Sequence, residues 1–197
     1  MTTKIFIALI VSFAFISSCK DPIDKDRTVR ATVNLTSIHQ ETDNTYQIGN
    51  SPKGQIFISQ DDSIVVFEIH LENFAPNTIH AVHLHMGTCQ EPGMHWNQGK
   101  EMTSLFCNKR SLGIPWAKPK AGDVGNVSVG YDGTGSLTLK TDLWRLNSLN
   151  DLDIVGKVVV IHDTFEDFTM ECDPNHDHNH GHTNPKVACG TIELTTE

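Results

Sequence analysis

Short apolar segments alternate with polar turns along most of the chain, and the segments are rich in β-branched residues. Such residues at alternate positions predict strands with one buried and one exposed face. After residue 27, no stretch keeps the apolar period of an amphipathic helix. The pattern predicts about eight strands, at residues 27–37, 54–60, 63–74, 80–85, 126–131, 135–141, 155–162 and 189–194.

Turn-forming residues separate several of the predicted strands. Asp61-Asp62 joins the second strand to the third, and Asp132-Gly133 predicts a hairpin of the fifth and sixth. This spacing of strands and turns indicates an antiparallel sandwich or barrel. Two long segments lack strand character, Gln90 to Gly125 and Asp163 to Ala188. Loops of this length in a compact domain usually carry function.

The amino-terminal segment predicts export. A lysine, an apolar run from Ile5 to Ile16 and two serines precede Cys19, which is typical of a signal peptide. The run is short for a membrane span. The ending Ile-Ser-Ser-Cys resembles the bacterial lipobox, which implies lipidation of Cys19 and anchoring in the cell envelope. The predicted organisation is a signal peptide at residues 1–18, a polar tether at 19–27 and one domain at 28–197. A cleaved secretory signal with an incidental cysteine is the alternative.

Charge and cysteine content narrow the class of protein. The 197-residue chain has a formal net charge of −9, and loss of the signal, with Lys4, makes it −10. A chain this acidic is a poor candidate for binding nucleic acid, and no nucleic-acid partner is expected, because phosphate binding needs a basic face. Besides Cys19, an even set of cysteines predicts two disulfides outside the cytoplasm, with three connectivities open. These cysteines are Cys89, Cys107, Cys172 and Cys189.

Histidines gather in the stretch HAVHLHMGTCQEPGMHWN, residues 80–97. Residues i and i+2 of a strand share a face, so His83 and His85 point the same way. His95 follows in a loop, and His162 ends the seventh predicted strand, where it could complete the set. Imidazole ligands suit zinc, copper or iron. A pair of surface or packing histidines is the alternative that the H-x-H pattern leaves open.

Five segments together resemble the copper/zinc superoxide dismutase family in order and spacing. They are HAVHLHMGTC followed by GMHWN, then GDVGNVSVGYDGTGSLTL, VGKVVVIHDTFEDF and VACGTIEL. The resemblance spans most of residues 54–194. It implies an eight-stranded Greek-key β-barrel with two long loops. It also implies copper-catalysed disproportionation of superoxide to dioxygen and hydrogen peroxide.

The resemblance assigns the copper ligands. His83 and His85 match the two copper-binding histidines of the family's H-x-H strand. His95 matches the histidine that bridges copper and zinc and also carries a proton, and His162 matches the fourth copper ligand. His80 matches a structural histidine beneath the site and is not counted as a ligand.

The cysteines also find counterparts in the family. Cys89, six residues before His95, matches one half of the family's disulfide, and Cys189 in ACG matches the other half. Cys107 and Cys172 would then form a second bridge between the two long loops, with two free thiols as the alternative.

The zinc ligands of the family are largely missing. The loop from Gln98 to Ala121 contains no histidine, and Lys120 stands where the last zinc histidine would fall. Asp123 of the GD motif remains as a remnant of the zinc site. Either the protein resembles the copper-only members, with Glu166 or Asp167 beside the copper ligands, or the HDHNHGH tract at 176–182 replaces the lost ligands. Copper is thus the expected cofactor, and zinc stays open.

Lys186 is a second departure from the pattern of the family. The family places an arginine three residues before the second cysteine, where it docks superoxide, and lysine keeps the charge without the planar fork. Cations of the long loop could form a positive rim that steers superoxide. The alternative is that they belong to an ordinary solvated loop. They are Lys109, Arg110, Lys118 and Lys120.

The expected function is a copper-dependent superoxide dismutase that acts outside the cytoplasm, with superoxide as substrate and a lipid anchor as its only membrane contact. A homodimer is compatible with the family. The alternative is a non-catalytic copper-binding lipoprotein on the same fold, which Lys186, the lost zinc ligands and the histidine tract favour.

Overall fold

The computed structural model describes residues 28–42, 44–100, 120–168, 173 and 184–195. In this part of the chain all regular structure is β, and no helix is long and apolar enough to cross a membrane. The strands are β1 (Val29–Gln40), β2 (Tyr46–Asp61), β3 (Ile64–Leu71), β4 (Ile79–His85), β5 (Asp123–Ser128), β6 (Gly135–Thr141), β7 (Val158–His162), β8 (Lys186–Thr191) and β9 (Glu193–Leu194).

Eight of these strands form one antiparallel sheet that curls into a nearly closed barrel. Their order is β5-β4-β7-β8-β1-β2-β3-β6, and the short β9 pairs with β1. The all-β fold class is confirmed, and every predicted strand overlaps an observed one. The first half of β2, Tyr46–Lys53, was not predicted, because its sequence YQIGNSPK lacks an alternating apolar pattern.

The predicted hairpin of the fifth and sixth strands forms at the turn but does not continue as a long ladder. The turn forms, since Asp132 Oδ1 accepts bonds from the Thr134 amide (3.1 Å) and hydroxyl (2.9 Å). However, β5 pairs with β4 and β6 with β3. Beside the turn the two segments are joined by the bridge Val129–Gly135 and by the bond from the Gly130 amide to Thr134 O (2.8 Å). The β5–β6 junction is therefore the seam at which the barrel closes.

Side chains on one face of each strand fill the interior of the barrel. In β3, Val65, Phe67, Ile69 and Leu71 are buried at alternate positions, as the strand period requires. The core also holds Trp144, whose Nε1 donates to Ala121 O at 2.7 Å. This bond ties the long loop after β6 to the residues just before β5.

Strands β4 and β7 are buried on both faces. Val82 and Leu84 of β4 point into the barrel core, so His83 and His85, at the intervening positions, point outward. Segments lying over the outer face bury these histidines almost completely. The histidines thus occupy a covered site outside the main core.

Candidate metal centre

The loop after β4 folds back on the strand end and carries His95 to the other histidines. The Trp96 amide donates to Leu84 O (2.8 Å), the Met86 amide donates to Met94 O (3.1 Å), and His85 and His95 form an isolated bridge. The ring of His95 stacks on that of His83 with centroids 3.9 Å apart. Backbone pairing thus fixes the position of this loop histidine.

Three histidines offer ligand atoms to one point. One nitrogen each of His83, His95 and His162 lie within 4.8 Å of one another, and all three side chains are buried. His162 reaches the cluster because β7 runs beside β4, with Ile161 opposite Val82. The fourth predicted ligand, His85, joins them, since its Nε2 lies 3.4 Å from His162 Nε2. The structure therefore brings the four predicted ligands together.

Hydrogen bonds fix which nitrogens can take a metal. His85 Nδ1 donates to Gly93 O (3.0 Å) and His162 Nδ1 donates to Asn184 O (2.9 Å), since a carbonyl only accepts. In the neutral rings, both Nε2 atoms then carry lone pairs that face each other. A cation between them turns this unfavourable contact into ligation, so the donor set fits a metal that prefers imidazole.

Two carboxylates flank His83. Its Nδ1 donates to Asp123 Oδ1 at 2.9 Å, and its Nε2 lies 2.6 Å from Glu166 Oε2. Burial alone would lower the pKa of His83, but the hydrogen bonds and charges of Asp123 and Glu166 outweigh it and raise the pKa to about 9. To bind a metal near neutral pH, His83 must lose this proton and exchange one carboxylate contact.

The surroundings also shift the pKa values of two other ionisable groups of the site. Burial, followed by the charges of His83 and His85, holds the pKa of His162 well below its usual range, so this ring is neutral. Burial raises the pKa of Asp123, but the hydrogen bond and charge of His83 and then the charge of Lys120 outweigh it and leave the pKa lowered. The site thus combines an ionised Asp123 with a neutral His162.

Hydrogen bonds to main-chain atoms support the site. His80 Nδ1 donates to His162 O at 2.8 Å, which places His80 in a supporting position rather than among the ligands. Asn126 of β5 bonds Glu166 through both ends of its amide, at 2.9 and 3.0 Å. These bonds explain why Glu166 reaches His83.

A disulfide links the loop of His95 to β8. Cys89 and Cys189 are bonded with a sequence separation of 100 residues. Cys189 pairs across the ladder with Val160 of β7, two residues before His162. The disulfide therefore ties both histidine-bearing segments to the same part of the sheet.

Lys186 lies beside the histidines. It stands opposite His162 in the β7–β8 ladder, and its Nζ is 3.5 Å from the Tyr46 hydroxyl oxygen and 5.4 Å from the centre of that ring. Burial lowers the pKa of Lys186 and raises that of Tyr46. Sequence reasoning missed Tyr46, because it lies in the half of β2 that shows no strand pattern.

Comparison with known proteins decides the family. Residues 52–192 match the family described as copper/zinc superoxide dismutase (SODC). The chain belongs to this family.

Two solved structures resemble the superoxide dismutase fold of this chain. A mutant of a SOD-like protein from Bacillus subtilis is 21% identical with a TM-score of 0.57, and the match covers 82% of this chain and 97% of that chain. A double mutant of a SOD-like protein from the same organism is 22% identical with a TM-score of 0.56, covering 82% and 96%. At this identity the likeness shows the fold.

Two carboxylates lie at the side of the site where the family binds zinc. Glu166 contacts His83, one of the predicted copper ligands. The carboxylate near His95 is Asp123, with Oδ1 3.4 Å from His95 Nδ1. The main-chain amide of Lys120 donates to the other oxygen of Asp123 at 2.8 Å.

Several predicted features lie outside the described residues. These are the signal peptide and tether at 1–27 with Cys19, the second cysteine pair Cys107 and Cys172, the loop cations Lys109, Arg110 and Lys118, and the histidine tract at 176–182. Their roles remain predictions.

Proposed function

We propose that the protein is a copper-dependent superoxide dismutase. The observation that carries the proposal is the buried cluster of His83, His85, His95 and His162, with Lys186 opposite His162 on the neighbouring strand. Family membership supports the reaction. Imidazole ligands suit copper, and bound copper would supply the one-electron oxidation and reduction of superoxide.

Lys186 is proposed to attract and orient superoxide. It is half-buried next to His162, and few water molecules screen a charge in such a place. The Tyr46 hydroxyl limits where the ammonium can move. A fixed cation at the metal site favours a small anion, although the chain as a whole is acidic.

Asp123 is proposed to manage the proton of His95. Its Oδ1 lies 3.4 Å from His95 Nδ1, and its pKa is lowered, so an ionised carboxylate lies close to that nitrogen. This contact keeps the proton on Nδ1 and leaves Nε2 to face the metal. In this proposal, the second nitrogen of His95 meets a carboxylate instead of zinc.

The test compares copper-loaded protein with two variants. Superoxide decay is followed by pulse radiolysis with one copper per chain and no zinc. We expect near-diffusional decay, at least about a hundredfold slower decay in His85→Ala, and an unchanged rate in His39→Ala, which alters an exposed histidine on β1. Equal rates in the unaltered protein and His85→Ala would contradict the proposal.

The same experiment separates a second candidate, a non-catalytic copper-binding protein. Lys186 in place of the family's arginine favours it, since lysine lacks a planar fork for an oxygen anion. Tight copper binding that His85→Ala abolishes, together with superoxide decay no faster than the spontaneous rate, would favour metal storage or delivery as the function.

We also propose that the protein is exported and anchored through a lipid on Cys19. The basis is the apolar run that ends in Ile-Ser-Ser-Cys. Fractionation of cells tests it: Cys19→Ser should release the protein from the membrane fraction. Membrane retention of this variant would contradict the lipid anchor.

A further inference from the structure

Both methionines of the described residues lie at one place on the surface. Met86 directly follows the predicted ligand His85, and Met94 directly precedes His95. Met86 is 57% exposed and Met94 is 50% exposed. Methionine is more often buried, so two exposed methionines beside a candidate copper centre point to a use of their sulfur atoms.

Backbone pairing sets Met86 opposite Met94. His85 and His95 form an antiparallel bridge, and the Met86 amide donates to Met94 O at 3.1 Å. Opposed residues of an antiparallel pair share a face, with their Cβ atoms about 4.5 to 5.5 Å apart. Methionine side chains are long and flexible, so both sulfur atoms can reach one ion.

The methionine pair is separate from the histidine cluster. Neighbouring residues of a strand point to opposite faces, so Met86 and Met94 occupy the face that His85 and His95 do not use. Leu84, on the same face as Met86, belongs to the barrel core. Two residues further on, this face has left the core and is exposed to solvent. The pair therefore forms a second group of potential ligands.

The turn that joins the two methionines is short and held by main-chain bonds. The Gly87 amide donates to Pro92 O at 2.9 Å. The Thr88 amide donates to Glu91 O at 3.0 Å. The pairing passes over Gly93, whose φ of 67° is a conformation that glycine adopts readily. The methionine pair is thus held in register before any ion binds.

Paired thioethers favour a soft cation. Thioether sulfur prefers Cu(I), whereas oxygen ligands suit hard cations such as magnesium and calcium. Residues 86–94 contain one acidic residue, Glu91, and no lysine or arginine, so the local charge also suits a cation. The thiol of Cys89 does not compete for the ion, because it is bonded to Cys189.

We propose that Met86 and Met94 form a surface site for Cu(I), through which the histidine centre acquires its copper. Two thioethers leave coordination positions open, so a copper donor can keep some of its own ligands on the ion during transfer. The ion passes to the histidines as Cu(I), without a change of oxidation state. The inference rests on the proposed copper centre but not on its catalytic activity.

The first test observes the methionine methyl groups directly. Metal-free full-length protein, labelled with ¹³C at the methionine methyl carbons, is titrated with Ag(I), a probe for Cu(I) that does not change oxidation state. NMR follows each methyl signal, so silver bound to histidines or thiols does not affect the readout. Met86→Leu and Met94→Leu assign the two signals and preserve the apolar volume. Met102→Leu and Met170→Leu assign the control signals.

We expect the methyl signals of Met86 and Met94 to shift together and to saturate with one silver ion per pair. Each single variant should weaken silver binding at the remaining methionine at least about tenfold. The signals of Met102 and Met170 should not follow the same titration curve.

The second test measures copper loading. Metal-free protein receives copper from a Cu(I)–bicinchoninate complex, and the loss of the colour of that complex gives the rate. The double variant Met86→Leu/Met94→Leu should load more slowly, by at least the factor that separates the silver affinities. Loading from a Cu(II) salt should be unchanged, because Cu(II) prefers nitrogen and oxygen ligands.

Two results would overturn the proposal. If silver leaves the signals of Met86 and Met94 unchanged, or shifts them independently of each other, the pair is not a site. If the parent and the double variant load from Cu(I) at equal rates, the pair is not the route by which copper enters, and an apolar surface explains it. Urea unfolding of each variant checks folding. Neither test uses superoxide, so a non-catalytic copper protein would give the same answer.

Discussion

At the scale of single residues, the site depends on partners that the sequence does not mark. The four histidines follow from the H-x-H pattern and the resemblance. Their orientation comes from Gly93 O and Asn184 O, which accept from His85 and His162. Any residue has a backbone carbonyl, so only the fold shows which one is used. Tyr46 was missed for another reason, because the first half of β2 shows no strand pattern.

Removing the charge of Lys186 should slow the reaction. We expect Lys186→Met to reduce the rate of superoxide decay about tenfold and to weaken its dependence on ionic strength, since steering by a cation is screened by salt. Lys186→Arg should retain or exceed the original rate. Stopped-flow or pulse-radiolysis decay at several salt concentrations measures both effects. Lys140→Met, an exposed charge on β6, is the matched control, and an equal loss there would refute a local role.

Tyr46 should act only through Lys186. Tyr46→Phe keeps the ring but removes the hydroxyl 3.5 Å from Nζ, so we expect a fall in rate of about two- to fivefold. In a double-mutant cycle this fall should disappear when Lys186 is already methionine. Independent, multiplicative losses in the double variant would show that Tyr46 affects the site by another route.

At the scale of elements, strands with clear alternation could be predicted and the rest could not. The sequence of β3 predicts a strand because apolar residues occupy its core positions at every second residue. The first half of β2 extends through pairing with β1, from Ile48 opposite Ile38 to Tyr46 opposite Gln40. That pairing, not side-chain pattern, makes it a strand. The loop carrying His95 is likewise fixed by backbone bonds to β4.

The disulfide should contribute both stability and loop order. Opening a 100-residue closed loop in Cys89→Ala/Cys189→Ala should lower the free energy of unfolding by about 4 to 5 kcal/mol from loop-closure entropy. Copper affinity should fall as well, because the loop of His95 loses its tie to β8. Urea unfolding and competition with a copper chelator measure the two quantities. Unchanged copper affinity would show that the backbone bonds hold His95 without the disulfide.

At the scale of the whole molecule, the order in which the strands pair was the feature hardest to predict. Asp132-Gly133 is a sound turn signal, yet each strand beside it pairs elsewhere. Local sequence specifies the turn, whereas burial of the barrel interior decides which edges pair. The Greek-key arrangement followed only from the resemblance, since the number and spacing of strands suit a sandwich as well.

The metal-free protein should be most stable near pH 6.5. His83 has a folded pKa raised to about 9, so its contribution is complete below about pH 6.5 and is lost as the pH rises through 9. The pKa of His162 is lowered, so its contribution is present above about pH 6.5 and is lost as the pH falls.

Urea unfolding across this range measures the dependence. The loss between about pH 6.5 and 9 should be on the order of 3 kcal/mol for His83. His83→Gln should flatten this alkaline limb and leave the acidic limb in place. An alkaline limb that persists in His83→Gln would assign it to another group.

The seam between β5 and β6 divides the barrel into two halves of four strands. One half, β5-β4-β7-β8, carries the histidines, and the other is β1-β2-β3-β6. At one junction the halves share the bridge Val129–Gly135, and at the other β1 pairs with β8 through Thr36–Cys189 and Ser37–Ala188 and with β9 through Ala31–Leu194 and Thr32–Glu193. The β5–β6 junction thus has the shorter main-chain pairing of the two. Amide protons along this junction should exchange with solvent deuterium before those in the middle of either half.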